Sequence, residues 1–128
     1  MITFDQATEL IQSARNASRG KPIYGLPHTK VVLVQGSAQN PEVLAIRYYN
    51  TNIVNIYPNG TYMAKTCSWN TRTTKKRINT LTPMNIRQKK GVWYHNSEPF
   101  YSGISVNQDG SIIENNSTLD RVTTVTVD

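Results

Sequence analysis

Apolar residues recur at Ala7, Leu10, Ile11 and Ala14, the i, i+3, i+4, i+7 spacing of one helix face. Thr3 and Gln6 precede them at capping-box spacing. The pattern predicts an amphipathic helix over residues 4–17, closed by Gly20 just past its end. Residues 21–29 hold Pro22, Gly25 and Pro27 and read as a loop. The period then changes. A short apolar strand covers 31–35, and Leu44, Ile46 and Tyr48 alternate along a second over 44–49. A third covers 53–57. Pro58-Asn59-Gly60 is a hairpin signal, because Asn-Gly accepts positive φ, and 61–66 returns as a fourth strand.

Helical spacing reappears at Thr74, Ile78 and Leu81, with Thr71 or Thr73 as the cap. Thr82 stands before Pro83, and a residue before proline is pushed out of the helical region, so this second helix stops there. Strands over 84–88 and 92–95 follow, joined through Lys89-Lys90-Gly91. Met84, Ile86, Val92 and Tyr94 are expected toward the core, with Arg87, Lys89 and either Trp93 or His95 outward. Asp109-Gly110 signals another hairpin. Residues 121–128 have high β propensity and no evident partner; they suit an edge strand, a strand lent to a neighbouring subunit, or a frayed tail. The expected fold is α+β: a small antiparallel sheet, meander plus hairpin, packed by the N-terminal helix and the short central one. A single domain over 1–103 is expected, with 104–128 a C-terminal hairpin or tail through which copies could associate.

Composition narrows the class. The 128 residues are 38% hydrophobic and carry a net charge of +6. No apolar run approaches the ~18 residues of a membrane span, and residues 1–16 lack the layout of a signal peptide. Cys67 is the one cysteine, so no internal disulfide can form, and a reducing, cytoplasmic setting is expected. Charge is unevenly spread. From Val43 to Ser97 there is no acid, against Arg47, Lys65, Arg72, Lys75, Lys76, Arg77, Arg87, Lys89 and Lys90. An uninterrupted basic segment is the usual footprint of a polyanion binder.

The densest part is the stretch from Ser68 to Asn79. Thr71, Thr73 and Thr74 offer helix-capping oxygens beside Arg72, Lys75, Lys76 and Arg77. Cations in the first turns oppose the helix dipole, each by roughly 0.3–1 kcal/mol when exposed. Free N–H groups together with cations suit a bound phosphate. Arg87, Lys89 and Lys90 would extend the patch, and Trp93 or Tyr49 would stack on bases. Neither zinc-ligand spacing nor a nucleotide-binding glycine pattern is present. Acids are too sparse for a local acid/base pair, and a Cys67–His95 nucleophile pair is outweighed by the reading of Cys67 as a small buried residue at a strand end. No catalytic residue, metal or cofactor is expected.

The runs Arg47 to Val54, Asn59-Gly60, Trp69 to Asn79 and Gly91 to Tyr94 resemble a family of small, uncharacterised tailed-bacteriophage proteins. In that family a tryptophan follows two glycines and precedes a threonine-rich turn and an Arg-Ile-Asn helix. Here Cys67 and Ser68 stand where the glycines would be. The resemblance covers residues 13–95. It implies a phage protein made in the host bacterial cytoplasm and no particular activity. The residues themselves point to a non-enzymatic binder of nucleic acid or of a nucleotide phosphate. An inhibitor of a host defence that clamps an acidic host protein or sequesters a cyclic nucleotide, and a minor virion or assembly component joined through 121–128, are the alternatives.

Overall fold

The computed structural model of the chain describes residues 1–66 and 70–113. Helix α1 (Phe4–Gln12) leads into β1 (Lys21–Pro22), β2 (Thr29–Gly36), β3 (Pro41–Tyr48), β4 (Thr51–Ile56) and β5 (Tyr62–Ala64), paired antiparallel in that order. Helix α2 (Arg72–Leu81) precedes a second antiparallel sheet of β6 (Ile86–Lys89), β7 (Val92–His95) and β8 (Glu98–Pro99). Strand β9 (Ser105–Val106) then returns to the first sheet beside β5. The α+β architecture expected from the periodicities is the one observed.

Register explains the core. Val31 pairs with Ile46, Ile46 with Val54, Val54 with Ala64, Leu44 with Ile56, and Ile56 with Tyr62. Cross-strand partners share a face, so these residues form one apolar surface. Ala7 and Ile11 of α1, Ile78 and Leu81 of α2, and Ile86 and Trp93 of the small sheet complete the same buried cluster. The sheet has a second, smaller buried spot on its other side, at Val32 and Ala45.

Helix α1 starts as expected: Thr3 and Gln6 exchange both capping-box bonds. It ends five residues earlier than the apolar spacing suggests. Ser13 Oγ turns back to Leu10 O, and Asn16 Oδ1 accepts the N–H groups of Ser18 and Arg19. Such local side-chain bonds satisfy the backbone outside a helix and compete with it. Gly20 adopts φ +87°, and a Cβ there would lie 2.2 Å from Val31 O, so only glycine admits the approach of β1 to β2.

One expectation is corrected. In β7 it is Trp93 and His95 that face inward, while Val92 is exposed and Tyr94 half-buried. Ile86 pairs with His95 and Gln88 with Trp93, so the inward face of β6 carries these two with it. Residues 104–112 pack on the first sheet. Ile104 and Val106 are fully buried, Val106 pairs with Tyr62, and Ile112 bridges back to Val106. The intervening turn has Gly110 N–H on Asn107 O and Asn107 N–H on Ser111 O, the hairpin signalled by Asp109-Gly110. The Asp109 carboxylate accepts the Ser111 hydroxyl and N–H, which holds its pKa below the usual carboxylate value. The strand expected at 121–128, Cys67 and Trp69 lie outside the described residues.

Tyr62 supplies a testable consequence of this packing. Its hydroxyl donates to Ile2 O at 2.6 Å, and Ile2 N–H donates to Leu81 O, so the N-terminus is tied to β5 and to the end of α2. Burial raises the phenol pKa above 10.0. A raised pKa means the neutral form is favoured on folding. That contribution is whole below the unfolded pKa and lost as pH rises past it. Tyr62→Phe should lower stability at neutral pH by about 1 kcal/mol through the lost bond. In urea titrations the gap to the parent should narrow as pH rises above about 10. A constant gap would refute the assignment.

Candidate nucleic-acid interface

Thr71 is the N-cap of α2, and its Oγ1 accepts the Thr74 N–H at 3.1 Å. The same oxygen lies 3.2 Å from Thr73 Oγ1 and 2.9 Å from Thr74 Oγ1, and the Tyr48 hydroxyl donates to Thr73. The three threonines therefore bond one another and Tyr48. Thr74 is fully buried.

The cations of α2 divide by helical position. Arg77 falls on the same stripe as Thr74, Ile78 and Leu81, and it is 6% exposed. Its Nε donates to Thr29 Oγ1, Nη1 to Thr73 O and Nη2 to Pro27 O, and its guanidinium lies 4.1 Å over the Tyr48 ring. Its fork is spent inside the protein, which removes it from the expected phosphate contacts. Arg72 and Lys76, one turn apart, are exposed on the opposite side of the helix. Lys75 sits between these faces and reaches Gln88 Oε1 of β6 at 3.5 Å.

Asn79 fixes α2 against β6. Its Oδ1 accepts the Ile86 N–H at 2.6 Å and its Nδ2 donates to Ile86 O at 2.9 Å. One amide side chain thus pairs with the open edge of the strand as a neighbouring backbone would. Of the α2 cations Lys75 is thereby set against β6, and on the β6–β7 hairpin Arg87, Lys89 and Lys90 are exposed. Among the described residues none of Arg72, Lys75, Lys76, Arg87, Lys89 and Lys90 is paired with a carboxylate.

The outward face of the small sheet carries Arg87 directly opposite Tyr94, and Lys89 opposite Val92. Beside it opens a cleft of about 720 Å³, walled by Arg87, Lys89 and Tyr94 and by the polar side chains of Asn85, Asn96 and Ser97. Trp93, expected to stack on bases, packs inside against Phe100 at 5.4 Å between ring centroids. The aromatic ring beside the hairpin cations is that of Tyr94. The signal for it was the length of the connection. Lys90 and Gly91 both have positive φ and form a two-residue turn, which forces Lys89 opposite Val92 and Arg87 opposite Tyr94. Tyr49 is half exposed, on the flank of α2 that Thr73 and Arg77 face, and its ring is stacked on His28 at 4.4 Å.

His95 is fully buried and has both ring nitrogens engaged with backbone. Nδ1 accepts the Asn85 N–H at 3.0 Å, so Nε2 carries the proton and donates to Gly110 O at 2.7 Å. Among the described residues there is no group of three His, Cys, Asp or Glu side chains placed to hold a metal ion, and no helix long and apolar enough to cross a membrane.

A family model described as Kyanoviridae Gp96 protein matches residues 9–114. The chain belongs to this bacteriophage protein family. The match begins within α1 and runs past the β9 pairing, so it takes in α2, the β6–β7 hairpin and the cleft, and extends beyond residues 13–95 at both ends. No curated protein and no solved structure matches this Gp96-family chain.

Proposed function

We propose that this Gp96-family chain is a non-enzymatic binding protein for a phosphate-bearing ligand, nucleic acid in the first place. The observation that supports the reading is the docking of α2 on the β6 edge through Asn79 and Lys75, which joins the helix that carries Arg72, Lys75 and Lys76 to the hairpin that carries Arg87, Lys89 and Lys90. Six cations without carboxylate partners on adjoining surfaces repel one another. A polyanion relieves that repulsion and releases its own counterions. The contact set differs from the one read in the sequence: Arg77, Thr74 and Trp93 belong to the interior, and Tyr94 joins.

Titration of labelled DNA and RNA by fluorescence anisotropy tests this. With about six phosphate contacts, affinity should fall roughly 300-fold for single strands and roughly 2,000-fold for duplex DNA between 50 and 200 mM salt. Reversing charge in Lys75→Glu with Lys76→Glu should weaken binding to every sequence and flatten the salt slope by about two. Undetectable affinity at about 50 mM salt, or affinity untouched by the double reversal, would refute the reading.

A further inference from the structure

Resting on that reading, we infer that the cleft beside the β6–β7 hairpin takes one nucleotide of a single strand, its base against Tyr94 and its phosphate at Arg87 and Lys89. The volume of about 720 Å³ lies within the range of about 300–1,000 Å³ usual for small-molecule sites. The wall chemistry is that of a nucleotide. Two cations serve a phosphate, an aromatic ring serves a base face, and the Asn85 amide carries a donor and an acceptor for a base edge, with Asn96, whose Nδ2 is held by Gly110 O, offering its carbonyl oxygen. No carboxylate lines the cleft.

Rigidity comes from beneath. Trp93 and His95, on either side of Tyr94, are locked in the core, so the strand that carries the ring cannot slide. Past β7 the chain passes through left-handed backbone at Asn96 and Ser97, φ 48° and 72°, which turns these two residues into the cleft wall. Arg87 stands directly across from Tyr94 and Lys89 two residues further along the same strand face, so a base on the ring has cations beside it for its phosphate. A base inside a duplex is stacked on both faces and paired along its edge. It cannot enter such a cleft, whereas an unpaired base can.

The test compares a short fluorescent oligothymidylate with the duplex it forms with oligoadenylate, at about 50 mM salt. Tyr94→Ala should weaken binding of the single strand by roughly 5- to 150-fold and leave duplex binding unchanged. Tyr94→Phe and Tyr94→Trp, which keep a stacking face and the fold, should retain single-strand affinity. Equal losses for both ligands in Tyr94→Ala, full loss in Tyr94→Trp, or no loss in a folded Tyr94→Ala would each overturn the cleft assignment while leaving the general basic surface standing. Absence of binding to either ligand by the parent chain overturns both.

Discussion

Replacing Arg77 by alanine is expected to lower the unfolding free energy by about 3–4 kcal/mol, a large share of the roughly 5–15 kcal/mol of an ordinary domain. Three charge-assisted hydrogen bonds are lost, to Thr29, Thr73 and Pro27, together with the contact over the Tyr48 ring. Each such bond contributes about 1.5–3 kcal/mol and a desolvated cation–π contact about 2 kcal/mol, but they cannot simply be added, because burying the guanidinium opposes them. The bonds also hold the 27–29 segment to α2, so its removal loosens the loop as well as the helix. Arg77→Met separates the effects. It keeps the packing of the stem, loses the fork, and should fall between parent and alanine. Arg77→Lys should not restore the parent, because a point charge cannot meet three acceptors set around a planar group. Urea unfolding gives the stabilities, and nucleic-acid titration of each folded variant gives the contrast. Unchanged stability with weakened binding would move Arg77 back to the surface patch and refute this account.

That residue shows what periodicity reveals and what it hides. The spacing of Thr74, Ile78 and Leu81 defines the inward stripe, and position 77 lies on it, three residues after Thr74 and four before Leu81. Its charge argues for the surface and its place in the pattern for the interior; place prevailed because Pro27 O, Thr29 and Tyr48 were waiting there. None of these partners is near it in sequence. The neighbouring Ile78 and Asn79 are structural too, one in the core and one clamped to Ile86. In this chain the Arg-Ile-Asn triplet does packing work, and the surface cations lie to either side of it.

Local signals were otherwise legible. The Thr3 capping box, the Thr71 cap, the stop before Pro83 and the turns at Asn59-Gly60 and Asp109-Gly110 all rest on bonds within five residues. What could not be read from apolar alternation was which face of Val92-Trp93-Tyr94-His95 turns inward, since Trp93 lies on one face and Tyr94 on the other. A slip of one residue exchanges the faces. The two-residue turn at Lys90-Gly91 decides it, and that turn replaced an expected three-residue connection. Strand β9 escaped for another reason: its partner β5 lies some forty residues earlier, and two residues leave no periodicity to see.

His95→Ala is expected to destabilise by about 3–5 kcal/mol, the combined effect of a cavity, an unsatisfied Asn85 N–H and the loss of the short bond to Gly110 O. The imidazole is fully buried and spans two backbone groups that nothing else described reaches together: the Asn85 N–H entering β6 and the Gly110 carbonyl in the 107–111 turn. The turn has little freedom to close the gap, because Gly110 already lies so near that a Cβ would stand 2.9 Å from Pro83 O. His95→Phe fills the space but leaves the Asn85 N–H without its acceptor and Gly110 O with only the long 3.5 Å bond from Asn96 Nδ2, so it should still lose about 1–3 kcal/mol. His95→Gln can accept at one end and donate at the other, and should recover part of the loss. Hydrogen exchange at the Asn85 amide and around the 107–111 turn should accelerate together in the alanine and phenylalanine variants, since one ring holds both. The small sheet is the platform for Tyr94, so single-strand affinity in these variants should fall with the local opening and return in His95→Gln. Parent-like stability in His95→Phe would show that the ring acts by filling space alone, and the hydrogen-bonded tie between β6, β7 and the turn would have to be given up.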